Sequence, residues 1–479
     1  MNNNNINNIA NCFGCGVCAA SCGKRLIKIQ LNENGFYSPY LDEPDKCIDC
    51  GICLDVCAFN HKEQALKPDE INIKSWAAWS NDEAIRRKCS SGGIGFEIGK
   101  QLIAKGYHAV GCRYDIKEQR AEHYIATTVE EFVQSIGSKY IQSYTEEAFK
   151  QINRKGQKYL VTGTPCQIDS FRRMIRKFHC EDNFVLMDFF CHCVPSMYAW
   201  KAYIKMLEPK IGKVTYASWR NKFEYGWHDS WLMGIDVEKT SKPVDWHDSY
   251  NLLIKGKKSF IQSRLSQGDM FYELFLGDFC LGPQCQNDCK YKMDKSSADI
   301  RIGDLWGKAY ANDEKGVSAL IVFTEKGRHI VQNLSGVTLK EQPLDIVAEG
   351  QMRKNAHVKP FGGIVMKYLK KGKSIDSFRF KSLIFSIKVI AKIKRMIIGL
   401  ITIYHVPNYG SVLQTYATQK LLQSLGHEVK VIQYNYFNER YYKEIGRAPS
   451  FRERFYSLKT LLMPKCKAAV LKRFRNNFL

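Results

Sequence analysis

Eight cysteines in two copies of one spacing constrain this chain more than any other feature. Cys12, Cys15, Cys18 and Cys22 stand in CFGCGVCAASC, and Cys47, Cys50, Cys53 and Cys57 repeat the C-x2-C-x2-C-x3-C run in CIDCGICLDVC. Three thiolates at that spacing wrap one face of an iron–sulfur cube from a single loop. The fourth lies one helical turn further on and reaches the other cube. The expected ligand sets are therefore Cys12, Cys15, Cys18 and Cys57 for one 4Fe–4S cluster, and Cys47, Cys50, Cys53 and Cys22 for a second. Gly14, Gly16 and Gly51 let the backbone come close and aim N–H groups at sulfide. Zinc also accepts four thiolates, but its C-x2-C knuckles are separated by longer spacers and need no third cysteine in the loop. Gly23 and Ala58 stand where the bacterial run carries proline, which removes no ligand.

The rest of the composition sets the frame. The chain has 479 residues, too many for one core, which suggests two to four domains. Eighteen cysteines without a secretory leader point to metal ligation in a reducing cytoplasm. The polar start MNNNNINNIAN reads as a frayed tail. The best membrane candidate, Leu383 to Tyr404, carries Lys388, Lys392, Lys394 and Arg395, each costing roughly 2.5–3.5 kcal/mol at mid-bilayer, so no transmembrane segment is expected. The net charge of +23 is uneven: from Phe361 onward 23 basic residues face five acidic ones. That excess suits acidic partners, anionic lipid or a solvated face. No nucleic-acid-binding motif accompanies it.

Residues 75 to 360 alternate helix and strand, which argues for an α/β architecture with a largely parallel sheet. SSGGIGFEIGKQLIAKG opens a helix from a glycine loop; YHAVGCRY, AEHYIATT, QKYLVTG, NFVLMDFFC and ADIRIGDLW read as strands. VEEFVQSIG, PCQIDSFRRMIRKF and SMYAWKAYIKML read as helices. Cys166 and Cys191 follow two strands of one right-handed β–α–β unit and emerge at the same carboxyl edge, where α/β proteins build their sites. Cys285 and Cys289 form a local pair in CQNDCKYK, with Cys280 nearby. Together these make either a third cluster or a set of unrelated buried thiols. Ser90, Ser91, Gly92 and Gly93 precede a helix and offer either an anion site or a plain N-cap.

The segments KCSSGGIGFEIG, GTPCQ, DFFCHCVPS, CQNDCKYK and ADIRIGDLWG, in that order behind the cysteine module, resemble the beta-subunit family of coenzyme F420 hydrogenases and dehydrogenases over roughly residues 10 to 365. The resemblance implies FAD beside an iron–sulfur centre. It makes Cys166, Cys191, Cys285 and Cys289 the candidates for the third cluster, and Ser90, Ser91, Gly92 and Gly93 those for FAD phosphate contacts. Gly303, Asp304 and Trp306 become candidates for the flavin pocket. His192 becomes the candidate proton relay, with a structural hydrogen bond as its alternative. Two positions depart from the pattern. Cys193 stands where glycine is usual and competes with Cys191, and the downstream pair is C-x3-C rather than C-x2-C. Cys89, Cys112 and Cys180 read as structural.

Near the end, MIIGLITIY, the loop HVPNYGSV, LQTYATQKLLQSLG and HEVKVIQYNY form one βαβ unit with a glycine loop at the helix start. NYGSVLQTYATQKLLQSLGHEV resembles the opening of the polysaccharide pyruvyl transferase family, which is glycosyltransferase-B-like and two-lobed. Some 84 residues cannot build two lobes, so the piece is expected to be incomplete and catalytically unassigned. The expected divisions are 1–70, an α+β two-cluster ferredoxin module; 71–375, a flavin and iron–sulfur oxidoreductase domain; 376–395, a basic helical linker; and 396–479, the partial transferase-like piece. The leading functional expectation is an iron–sulfur flavoprotein oxidoreductase fed by a ferredoxin or another oxidoreductase and linked to surface-polysaccharide synthesis. The alternatives are a non-catalytic electron-relay subunit and a glycan-modifying transferase with a redox domain attached.

Overall fold

The structure, a computed structural model, describes residues 4–9, 11–222, 226–237, 261–264, 268–359, 361–394, 397–401, 409–424 and 428–432. It divides into two units, Met1–Asp376 and Ser377–Leu479. The first unit opens with the cysteine module: helix α1 (Val17–Ser21), the antiparallel pair β1 (Ile27–Leu31) and β2 (Tyr37–Leu41), and helix α2 (Ile52–Asp55). Each helix leaves its cysteine loop through a left-handed glycine, Gly16 at φ 76° and Gly51 at φ 74°. That conformation costs other residues roughly 1–2 kcal/mol. A side chain at Gly16 would also strike the Thr145 hydroxyl.

Over residues 5–9 the Asn-rich start, expected to be a frayed tail, is tied down. Asn5 caps a 3-10 turn over Ile6–Asn8, its amide donates to Asp49 at 2.6 Å, and Ile6 packs with Ile27, Ile29 and Tyr37 around Cys18 and Cys53. One isoleucine in a polar run supplies the anchor, because burying it is worth about 1.5–3 kcal/mol.

The main sheet follows. Strand β3 (Lys74–Ser80) leads through α3 (Glu83–Lys88) to α4 (Ile94–Ala104). Strands β4 (His108–Asp115) and β5 (Arg120–Ala126) form a hairpin, followed by α5 (Val129–Phe132), β6 (Ser143–Tyr144) and α6 (Glu146–Gln151). Then β7 (Tyr159–Thr162), α7 (Pro165–Lys177) and β8 (Phe184–Phe189) make a parallel crossover, and α8 (Met197–Ile211) covers the exit. Strands β9 (Val214–Ser218), β10 (Leu232–Val237) and β11 (Ile261–Arg264) form a separate antiparallel sheet. The chain returns as β12 (Ile300–Asp304), β13 (Ser318–Val322) and β14 (Val337–Glu341).

The nine strands run β14–β3–β13–β12–β8–β7–β4–β5–β6. The expected largely parallel sheet is thus corrected to a mixed one. Its centre, β12–β8–β7–β4, is parallel, whereas β14, β3 and β13 pair antiparallel on one side and β5 pairs antiparallel with β4 on the other. A parallel neighbour needs a crossover of a dozen or so residues, and the four residues between β4 and β5 allow only a hairpin, with Gln119 at φ 49° turning it. Strand residues alternate between two layers. Leu160 and Val185 pack with Ile94, Ile98 and Leu102 of α4, while Val161 and Leu186 pack with Ile168 and Phe171 of α7. Val17 and Val56 of the cysteine module join that second layer.

A segment around β6 and α6 lends the cysteine module its missing partners. The Gln142 amide accepts from Tyr37 N–H at 2.8 Å and donates to Phe13 C=O, Glu146 accepts from Ile29 N–H at 2.6 Å, and Thr145 donates to Cys15 C=O.

In the second unit a helix, Phe378–Lys394, precedes β15 (Ile397–Ile401), a helix, Tyr409–Ser424, and β16 (Glu428–Ile432). The two strands pair in parallel from Ile397 with Glu428 to Ile401 with Ile432. Residues 402–408, which end the expected strand and open the HVPNYGSV loop, and everything after 432 lie outside the described residues. Among the described residues no helix is long and apolar enough to cross a membrane.

Candidate functional site

In the cysteine module, burial pushes the Cys12 thiol up to about 12, and charge on Cys15 and Cys57 adds to the rise. Burial takes Cys15 to about 11, with Cys57 adding. Cys18, wholly enclosed, rises well above the ordinary thiol value by burial, reinforced by Cys15, Cys12, Cys57 and Cys53. Burial likewise lifts Cys53 to about 11, with Cys50 and Cys47 adding. These effects group Cys12, Cys15, Cys18 and Cys57 in one nest and Cys47, Cys50 and Cys53 in another, with Cys22 packed beside Cys18 and Cys53. Crowded buried thiols hold their protons unless a cation compensates, so the donor chemistry fits iron. Among the described residues no three His, Cys, Asp or Glu close on a point as one bare ion requires. The second nest faces outward: Cys50 is exposed, and neighbouring Ile48 is 66% exposed. Over the first, the Phe13 ring stacks on Phe59 at 3.3 Å, and Phe59 meets Tyr291 edge-on.

The inner thiols come from three stretches of chain. Thr164 and Gln167 form a capping box with Pro165 in the first turn of α7, which sets Cys166 in that turn. Its sulfur lies 3.1 Å from the Thr164 hydroxyl. Cys191 follows β8, Cys285 sits in the single turn Pro283–Asn287, and Cys289 lies just past it. Burial raises Cys166 well above its ordinary value, Thr164 opposes, and Cys285, Cys191 and Cys15 add. Burial lifts Cys191 to about 12 against the opposing Lys292, with Cys285 and Cys289 adding. Cys289 rises by burial too, again with Lys292 opposing and Cys285 adding. The Lys292 ammonium donates to the carbonyls of Cys191 and His192, both at 2.9 Å.

Cys193 lies in the same nest. Its S–H donates to the Cys285 carbonyl at 3.9 Å, and the closeness of the two thiols holds Cys285 below the ordinary thiol value and Cys193 above it. Cys280 instead donates to Leu274 C=O at 3.6 Å. The loop is pinned by a fully buried ion pair: Arg301 on β12 grips Asp188 on β8 through two 2.7 Å bonds and also donates to Met293 C=O and Lys295 C=O.

At the carboxyl edge of β12, Asp304 pairs with Arg220 at 3.1 Å and accepts from the Trp227 indole at 2.8 Å. Trp306 stacks on Trp227, and the Arg220 guanidinium lies about equally far from Trp231 and Trp306, 4.9 and 5.0 Å from their rings. Tyr140 stacks on Trp231 and bonds Arg220. The Ser90–Gly93 loop reaches the same edge, where Arg220 approaches the Ser90 carbonyl. Two of its donors are already engaged, Ser91 Oγ to Val317 C=O and Gly92 N–H to Ser318 Oγ, while Ser90 Oγ accepts from Ser138 N–H. The buried Lys222 ammonium donates to the carbonyls of Arg86, Ser91 and Lys315. A side chain at Gly303 would strike Phe190.

Thus Cys166, Cys191, Cys285 and Cys289 come together, as do Gly303, Asp304, Trp306 and the serine–glycine loop. His192 is turned elsewhere: its Nε2 lies 3.1 Å from Asp278, and its other face meets Met352 and Phe275. Sequence reasoning missed Arg220, Tyr140, Trp227, Trp231 and Lys292. Only Lys292, three residues past Cys289, carried a local signal. A cavity of about 420 Å³ adjoins Cys289, with Lys295, Arg353 and Lys354 among its walls.

Paired thiol nests beside a buried inner nest define an iron–sulfur oxidoreductase-like subunit. The family comparison sharpens that class. Residues 11–61 match the 4Fe-4S dicluster domain, residues 75–150 match "Coenzyme F420 hydrogenase/dehydrogenase, beta subunit N-term", and residues 156–345 match the C terminus of the same subunit. The chain therefore carries both domains of the coenzyme F420 hydrogenase/dehydrogenase beta subunit behind a dicluster domain. Among solved structures it is similar to a chain of the F420-reducing [NiFe] hydrogenase complex from Methanosarcina barkeri, at 16% identity and TM-score 0.37, over 70% of this chain and 95% of that one. No curated protein matches.

Proposed function

We propose that the chain is an iron–sulfur flavoprotein oxidoreductase that carries electrons between a ferredoxin-type partner and an acceptor, through two outer 4Fe–4S clusters, a third inner one, and FAD. One observation carries the reading: Cys166, Cys191, Cys285 and Cys289 converge from three stretches of chain, with Cys193 Sγ 3.9 Å from the Cys285 carbonyl and Lys292 bound to the Cys191 carbonyl, and Cys15 of the dicluster domain neighbours Cys166. Bound clusters supply one-electron transfer, and a flavin couples it to hydride chemistry.

The chain's own residues hold and insulate. Thr164 and Lys292 orient the inner sulfurs, Arg301 and Asp188 fix their loop, and the Cys193 thiol donates to Cys285. For FAD, the half-buried indoles of Trp231 and Trp306 suit a ring, braced by the Arg220 cation that is already paired with Asp304. The engaged donors of Ser91 and Gly92 leave phosphate contact to the Ser90 hydroxyl and the backbone at the start of α4. The cationic mouth beside Cys289 favours an anionic acceptor. His192, held to Asp278 and packed on Phe275, fits the structural hydrogen bond rather than a proton relay. The βαβ unit from Ile397 to Ile432 supports a glycosyltransferase-B-like fragment and, with it, a link to cell-surface polysaccharide synthesis. We assign the chain to the cytoplasm because its thiols need a reducing compartment.

The test is anaerobic purification with quantitation of iron, acid-labile sulfide and extracted flavin. About twelve irons per chain are expected, four per cluster, with one FAD. Eight irons would remove the inner cluster, and flavin-free protein would favour a relay subunit over an enzyme.

A further inference from the structure

We infer that Ser170 is the positioning residue that couples the first cube of the dicluster domain to the inner thiol nest, and that its hydroxyl sets the potential of that cube alone. The inference rests on the iron–sulfur reading above. Ser170 is fully buried on α7, four residues after Cys166, so the two share one helix face. Its Oγ accepts from Ala58 N–H at 3.0 Å and lies 3.4 Å from the Cys15 sulfur. Ala58 directly follows Cys57. One hydroxyl from the oxidoreductase domain therefore touches the loops of two ligands, Cys15 and Cys57, that come from opposite ends of the dicluster domain.

The direction of the bond follows from the chemistry of the pair. A ligating Cys15 has no proton to give, and Ala58 N–H already occupies a lone pair of Ser170. The serine O–H is then the donor toward sulfur. Such a bond stabilises the more negative, reduced state of a cluster and raises its potential. The second nest has a different neighbour: the Cys47 sulfur lies 3.6 Å from the Asp49 carboxylate in an exposed loop. The competing use of a helical serine is a bond back to the carbonyl four residues earlier, which would leave sulfur untouched.

The test is a potentiometric titration of the anaerobically purified full chain, followed by electron paramagnetic resonance. In Ser170→Ala, one dicluster midpoint should fall so that the reduced-to-oxidised ratio at fixed potential drops about threefold. That is roughly 28 mV at 59 mV per decade. The other midpoints should stay in place, and Ser170→Thr should restore the value. If Ser170→Ala does not load iron, Ser170→Cys, a weaker donor of similar size, should show a smaller fall in the same cube. A loaded variant with all midpoints unmoved, or all displaced together, overturns the inference while leaving the iron–sulfur reading intact. A wild-type chain without iron overturns both.

Discussion

The outer and inner thiol nests present sulfur in opposite ways. Each outer nest draws three cysteines from one loop that a left-handed glycine turns into a short helix. The inner nest collects its cysteines from the start of α7, the end of β8 and the Pro283–Asn287 turn, and it exists only because the sheet is folded. Local geometry sets three cysteines of each outer nest, with the fourth taken from the other run, whereas the inner nest depends on the Arg301–Asp188 pair and on Lys292. An outer nest is thus mainly a property of two sequence runs, and the inner nest a property of the fold.

That contrast can be broken most directly by removing ligands. Cys166→Ser and Cys285→Ser should each lower iron from about twelve to about eight per chain while sparing the two dicluster signals, and Cys193→Ser should keep the full complement. Iron and sulfide assays read the outcome, and equal iron in all three variants would erase the distinction. Next in size is Arg301→Ala, which strands the buried Asp188 carboxylate. A loss of about 3–5 kcal/mol is expected, measured as a lower urea midpoint at unchanged slope, with the inner nest failing before the outer ones.

A smaller effect comes from His123, held by burial at about 4 although its Nε2–H donates to Thr162 C=O at 3.0 Å. The unfolded chain takes up this proton first, near pH 6.5. The stabilisation is complete above that value and is lost as pH falls toward 4. Between pH 7 and 5 the stability should drop by about 2 kcal/mol, and His123→Phe should flatten that slope in urea titrations at the two pH values. The most local expected change, of comparable size, is at the seam between the regions. Gln142→Ala leaves Tyr37 N–H and Phe13 C=O without partners, costing about 1–3 kcal/mol locally. Faster amide exchange at Tyr37 with an unaltered main sheet would show it.

What the sequence revealed follows the same division. The two cysteine runs declared their ligands by spacing, and the crossover rule brought Cys166 and Cys191 to one sheet edge. The mixed sheet was hidden, because the return of β13 and β14 beside β3 depends on contacts across more than 200 residues. Arg220, Tyr140 and Trp231 reach Asp304 and Trp306 from distant positions, with no periodicity to announce them. The terminal Asn run misled because composition outweighed a single buried isoleucine.

The stacked rings of Phe13 and Phe59, extended by Tyr291, roof one cysteine loop with hydrocarbon. The loop of Cys50 has no such cover, and its sulfur meets solvent. Dioxygen therefore finds one side of the small domain shuttered and the other open, so bleaching in air should start at the unroofed side and advance inward.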